Sequence, residues 1–165
     1  MKKVIGIIML CLVCFSVQKA AAQVNSIVEK DTLNYPYHPE ANAEEDLQKL
    51  IAKAGQESKH IVIQAGGNWC IWCLRFNDYI HKTPEINQYL QDNYLYYHLN
   101  YSKENKNEDV FKKYVPDSLK LGYPFFIVLD SNGKVLKIQE SGGFEDGKSY
   151  DKTKVMQFFT TWAKK

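Results

Sequence analysis

Residues 60–80 switch hydrophobic period abruptly, and that switch fixes how the rest of the chain can be arranged. Ile61-Val62-Ile63 is a continuous β-branched run of the kind that fills a strand buried on both faces. Gly66-Gly67-Asn68 breaks it, and Trp69-Cys70-Ile71-Trp72-Cys73 follows, with Leu74, Phe76, Asn77 and Ile80 continuing at helical spacing. Two cysteines three residues apart can close a small disulfide loop across one helical turn, because positions 70 and 73 share a helix face. A helix starting at Cys70 would place that sulfur among unpaired backbone N–H groups and at the positive end of the helix dipole. Such surroundings lower a thiol pKa from about 8.5 into roughly the 3.5–7.5 range.

A single CxxC admits other readings. A zinc site pairs it with a second CxxC or with spaced histidines, yet no cysteine follows Cys73, and His60, His81 and His98 are scattered. A purely structural disulfide is the other alternative, although a loop this short constrains little of the unfolded chain. Redox chemistry is the reading preferred over both.

Trp69-Cys70-Ile71-Trp72-Cys73 resembles the active site of the thioredoxin family. Gly122-Tyr123-Pro124-Phe125-Phe126-Ile127-Val128-Leu129-Asp130 is similar to that family's segment around its cis-proline, and the turn Asp130-Ser131-Asn132-Gly133 also fits. The resemblance spans roughly residues 44 to 163, and is nearest to secreted bacterial thioredoxin-like proteins that begin with a helix rather than a strand. It implies an α/β thioredoxin-like fold, with Trp69 shielding the sulfurs, Pro124 cis and facing them, and the Tyr123 backbone pairing with a substrate strand. Trp72 stands where thioredoxin has proline, and is expected at the surface of the site, selecting partners or simply covering the helix start. Gln64 occupies the place of a buried aspartate that serves the resolving thiol in classical members, six residues before the first cysteine. An amide can hydrogen-bond there but cannot titrate.

The 165 residues suit one domain with a sizeable core. Net charge is only +2, which leaves no electrostatic footprint for nucleic acid. Residues 1–22 read as a signal peptide: Lys2-Lys3, an apolar stretch from Val4 to Val17, then Ala20-Ala21-Ala22. Cys11 and Cys14 fall inside it, and neither follows the small residue that a lipoprotein signal requires. The mature chain therefore keeps only Cys70 and Cys73, so an exported, redox-active protein without a stable membrane anchor is expected, periplasmic or secreted. Residues 23–41 form an extended arm carrying Pro36 and Pro39, from which Tyr35 and Tyr37 can pack onto the domain, residues 42–165.

Within that domain Asn42 caps a helix that stops near Gly55, and His60–Ala65 is the central strand. The helix after the motif restarts at Thr83-Pro84, a second strand covers Tyr94–Tyr101, and a short helix carries Val110, Phe111 and Tyr114. A hairpin joins Phe125–Leu129 to Lys134–Gln139 about Asn132-Gly133, residues 142–148 are a loop, and Asp151–Trp162 is the last helix. The result is α-β-α-β-α-β-β-α, a mixed sheet of about four strands with helices on both faces.

These readings converge on a thiol–disulfide oxidoreductase in which Cys70 attacks and Cys73 resolves. Its partners are substrate proteins with disulfides or thiols and a redox protein that recycles the dithiol; no cofactor or metal is needed. The alternatives are a non-catalytic binding module with an inert disulfide, and a metal-binding chaperone.

Overall fold

Period-two alternation along the two central strands sorts the helices to opposite faces of the sheet. A computed structural model of the protein describes residues 29–165. The leader expected at 1–22 and arm residues 23–28 lie outside the described residues. Glu29–Leu33 belong to a unit of their own, in which Glu29–Asp31 are helical where an extended arm was expected. The Thr32 N–H and hydroxyl both donate to the Glu29 carbonyl and close that turn locally.

Residues 34–165 form the other unit. Helix α1 (Ala43–Glu57) opens with the Asn42 side chain accepting from the Glu45 N–H, and Glu44, Glu45 and Asp46 complement the dipole in its first turn. It runs past Gly55, the expected stop. The chain reverses instead at Ser58, which takes a left-handed conformation (φ 55°) and returns its N–H to the Ala54 carbonyl. Strand β1 (His60–Gly66) follows, then α2 (Ile71–Lys82), α3 (Pro84–Asn93) and β2 (Tyr94–Asn100). Pro84 begins α3 at its first position, where the missing N–H costs nothing. Helix α4 (Glu108–Tyr114) leads to the hairpin of β3 (Phe125–Leu129) and β4 (Val135–Glu140), turned by Gly133 at φ 82°. Helix α5 (Lys152–Trp162) ends the fold, capped by Asp151.

The expected loop at 142–148 is instead a 3-10 turn (Ser141–Phe144) and a short ribbon of β5 (Glu145–Asp146) with β6 (Ser149–Tyr150). Phe144 and Tyr150 explain the difference. Both are buried, and burying two aromatics in so short a stretch folds the backbone between them into a tight turn.

The strand order is β2-β1-β3-β4. β1 runs parallel to β2, from His60 opposite Tyr94 to Gly66 opposite Asn100, and antiparallel to β3, with Ile63 opposite Ile127. Ile61, Ile63, Ala65, Phe125, Ile127 and Leu129 pack with α1 and α4. Val62, Phe126 and Val128 point the other way, into Phe76, Ile86, Val155 and Phe159 of α2, α3 and α5. The mixed α/β sheet with helices on both faces is thus as expected, and the period-two register is what makes it so. His60, at the start of β1, ties the sheet to α5 by donating from Nδ1 to the Trp162 carbonyl, 2.8 Å away. Among the described residues no helix is long and apolar enough to cross a membrane.

Two predictions follow from this packing. Phe126 is fully buried and its ring sits 4.6 Å from that of Phe76, with Phe144 and Phe158 around it. Phe126→Ala should cost about 3–5 kcal/mol in denaturant unfolding, whereas Leu119→Ala, at an exposed site, should change stability by about 0.5 kcal/mol or less.

The second concerns His98 on β2. Burial, with smaller contributions from His81 and His38, pushes its imidazole down from 6.5 to about 4. Tyr37 and Tyr96 pack on its ring. Above the unfolded value both states are neutral and the fold has its full stability. As pH falls from about 6.5 towards 4 the unfolded chain takes up a proton that the folded one refuses, so stability declines. Unfolding midpoints measured across that window should fall in the wild type, and His98→Gln should flatten that part of the slope.

Candidate active site

Gly66 ends β1 with almost no room above it. A Cβ there would sit 2.5 Å from Cys73 Sγ and 2.8 Å from the Tyr37 hydroxyl, so only glycine lets the strand pass beneath the sulfurs. Cys70 N-caps α2: its own backbone is extended, and its Sγ accepts from the Cys73 N–H at 3.2 Å. The two cysteines form a disulfide, with Cα atoms 5.3 Å apart. Cys73 is completely buried one turn into the helix, and Cys70 keeps 6% of its surface open. Any nucleophile or electrophile from outside meets Cys70 first. When reduced, its sulfur faces the free N–H groups and positive end of α2, which favour the thiolate.

The Tyr123–Pro124 peptide bond is cis, and the Tyr123 carbonyl oxygen lies 3.6 Å from Cys70 Sγ. The segment that enters β3 is therefore brought against the first sulfur, although 53 residues separate the two in sequence. Trp69 is 52% exposed, yet its indole is fixed: Nε1 donates to the Tyr101 carbonyl at 2.6 Å, and its ring meets Tyr123 edge to face. Tyr101 and Tyr123 stack, so three aromatic rings form one ledge beside Cys70. Burial, reinforced by Tyr101, pushes the Tyr123 phenol up to about 12, and it stays a neutral surface.

Trp72, expected at the surface of the site or covering the helix start, packs against the Tyr37, Cys70 and Cys73 cluster at the start of α2. It lies half-buried against Tyr150, with the Arg75 guanidinium 4.7 Å over its face, and the Tyr150 hydroxyl donates to its carbonyl. The apolar bulk of an indole at the start of α2 is better placed on the β5–β6 ribbon than in water.

Gln64 is buried directly beneath the helix and has every polar atom satisfied. Its Nε2 donates to the Cys73 carbonyl (3.0 Å) and to the Tyr37 hydroxyl (2.7 Å), while its Oε1 accepts from the Tyr96 hydroxyl (2.7 Å). Burial holds both phenols well above their usual range, so they act as neutral hydrogen-bonding groups. Tyr37 comes from the arm, which Asn68 holds by two bonds to its backbone, from the Tyr37 N–H and to the Tyr37 carbonyl. Tyr35, the other candidate for packing, stays half-exposed.

Sequence reasoning found Cys70, Cys73, Trp69, Trp72, Tyr123, Pro124 and Gln64, and the structure brings all seven around one disulfide. It missed Tyr96 and Tyr101, and gave Tyr37 packing onto the domain or a part in partner binding by the arm, not a hydrogen bond beneath the sulfurs. Tyr96 had no signal of its own, since only the β1–β2 register, which sets His98 opposite Gln64, brings its hydroxyl to that amide. Tyr37 had none, because nothing local to Pro36-Tyr37-His38 indicates where the arm lands. Among the described residues there is no group of three or more His, Cys, Asp or Glu side chains that could hold a metal ion.

Comparison with known proteins agrees with this fold. No curated protein sequence matches the chain. Among solved structures, a disulphide isomerase from Xylella fastidiosa Temecula1 superposes with a TM-score of 0.67 at 21% identity, covering 79% of this chain and 98% of that one. A DsbH oxidoreductase superposes with a TM-score of 0.54, also at 21% identity, over 70% of this chain and 80% of that one. At such identity the likeness is one of fold. The family model described as thioredoxin-like matches residues 42–131, from the cap of α1 to the turn after β3 and so including both the CxxC and the cis-proline, and the chain belongs to that thioredoxin-like family.

Proposed function

We propose that the protein is an exported thiol–disulfide oxidoreductase that reduces or exchanges disulfides in other exported proteins. The observation that carries the reading is the Cys70–Cys73 disulfide at the N-terminus of α2, with the cis-proline segment 3.6 Å from the outer sulfur. The Cys70 thiolate attacks a substrate disulfide, one substrate sulfur leaves, and a mixed disulfide forms. Cys73 then attacks Cys70 Sγ, releasing the second substrate thiol and leaving the pair oxidised. The Tyr123 backbone and the Trp69–Tyr101–Tyr123 ledge give an extended substrate segment a place to lie. A separate thiol donor, from a redox partner, returns the pair to the dithiol. The names of the two similar structures, a disulphide isomerase and an oxidoreductase, fit this chemistry. Export rests on the leader at 1–22 and places the protein in the periplasm or outside the cell.

The near-complete burial of both sulfurs favours one competing reading, a binding module whose disulfide is inert. Trapping separates the two. Cys73→Ser should accumulate mixed disulfides with substrate proteins, visible as reductant-sensitive adducts, while Cys70→Ser should accumulate few. Equal trapping would reverse the division of labour, and an absence of adducts with either variant would support the inert module.

A second prediction comes from the amide beneath the helix. In Gln64→Glu the new carboxyl group faces the Cys73 carbonyl, which can only accept, so the folded state should hold it protonated and its pKa raised by burial. Below the unfolded glutamate value, about 4.3, the variant pays no ionisation penalty. Stability should then decline as pH rises, since the unfolded chain ionises first. In denaturation series from acid to neutral pH, the stability of the variant relative to the wild type should fall as pH rises, the His98 contribution common to both cancelling in the difference.

A further inference from the structure

Gln64 has two amide hydrogens, and the acceptors of both are accounted for: the Cys73 carbonyl and the Tyr37 hydroxyl oxygen. The Cys73 carbonyl cannot donate, so it fixes which end of the amide faces it, and the Tyr96 hydroxyl on Oε1 agrees with that orientation. Tyr37 Oη is therefore an acceptor towards Gln64, and its own hydrogen must go elsewhere. What lies beside it is sulfur. Tyr37, Cys70 and Cys73 make up a small buried cluster of their own, and Tyr37 Oη and Cys73 Sγ crowd the same point above Gly66.

We infer that Tyr37, carried by the N-terminal arm, is part of the redox site: in the reduced and mixed-disulfide states its O–H donates a hydrogen bond to the sulfur of Cys73 and stabilises the resolving thiolate. A buried thiolate needs such a donor, because an apolar pocket by itself raises a thiol pKa. Gln64 cannot take up the proton of Cys73, as a carboxylate there could, so the site assists by stabilising the anion. Burial holds the Tyr37 phenol above its usual range, so it keeps its proton and remains a donor throughout.

The inference rests on Cys73 being the resolving sulfur. The Cys73 thiol loses its proton to water, and the thiolate attacks Cys70 Sγ in the mixed disulfide. The Cys70–substrate S–S bond breaks as the Cys70–Cys73 bond forms, and the electron pair leaves on the substrate sulfur, which is protonated by water. The substrate disulfide is reduced and the dithiol is oxidised. The Tyr37 phenol gains and loses nothing.

The test needs no substrate, so it stands or falls separately from the proposed activity. In a Cys70→Ser background the remaining thiol is Cys73, once the leader is removed, and thiolate absorbance reports its titration. Adding Tyr37→Phe should move that titration upward by about one pH unit, the size expected for losing a hydrogen bond to a charged group. Tyr94→Phe serves as the control: it deletes an equally buried hydroxyl that donates to the Phe159 carbonyl, away from the sulfurs, and should leave the titration in place. If Tyr37→Phe does not move the titration, or Tyr94→Phe moves it as far, the inference is overturned. Should Tyr37→Phe fail to fold, fluorotyrosine at position 37 keeps the ring and makes the hydroxyl a stronger donor. The Cys73 titration should then move downward, and an unchanged or raised value would overturn the inference. With Cys70 restored, Tyr37→Phe should slow release of a pre-formed mixed disulfide about three- to fourfold at neutral pH, the loss of thiolate being partly offset by its higher nucleophilicity, and a model thiol such as glutathione suffices as the leaving group.

Discussion

Burial of β1 on both faces is the constraint on which the rest of the molecule depends. From Ile61 to Gly66 no residue of this strand reaches water, so each needs a partner above or below the sheet. Alternation sends Ile61, Ile63 and Ala65 to one side and Val62 and Gln64 to the other, which calls for helices on both. The parallel pairing with β2 requires a crossover, and α2 and α3 supply it. The antiparallel pairing with β3 brings Phe125 opposite Ala65 and so delivers the preceding Tyr123–Pro124 segment to the end of β1 where the sulfurs lie. The site is a consequence of that register: a shift of one residue would turn Gln64 away from α2 and carry the proline segment off the cysteines.

The same strand explains why the site has an unusual underside. A polar side chain in the middle of a buried strand must have all its hydrogen bonds made within the protein, since an unmet donor or acceptor there costs about 1–3 kcal/mol. Gln64 meets the requirement with three groups from three places: Cys73 on α2, Tyr96 on β2 and Tyr37 on the arm. Such a set ties the first turn of α2 to the sheet and fixes the arm to both. Asn68 adds two further bonds to the arm next to the cysteine motif, and Asn105 donates to the Pro39 carbonyl two residues beyond Tyr37. The arm from Asn34 onward is in this way part of the architecture around the disulfide.

The outer side is built from the helix start, the cis-proline segment and an aromatic ledge. Cys70 lies at the helix N-terminus with the Tyr123 carbonyl beside it, and Trp69 is held over the approach by its bond to Tyr101. Trp72 packs against the cysteine cluster from the flank of α2, held by Tyr150 and Arg75, and the ledge of Trp69, Tyr101 and Tyr123 adds a second aromatic surface beside the sulfur.

The strand, the glycine break and the CxxC at a helix start were legible because each is a local pattern: a period of two, a period of 3.6, or a residue type with a fixed backbone preference. Trp69, Pro124 and the position of Gln64 were legible too, through their likeness to a known family. Errors fell where a local signal competed with burial. Gly55 looks like a stop, but α1 ends only at Ser58; residues 142–148 look like a loop, but Phe144 and Tyr150 fold them into a ribbon to reach the core. By itself the sequence determined the sheet, its helices and the two sulfurs, since these follow from spacing along the chain. Only the tertiary structure decided what surrounds Cys73, because Tyr37, Gln64 and Tyr96 meet through pairings between segments 27 and 32 residues apart, and hydrogen bonds of that range leave no periodic trace in the sequence.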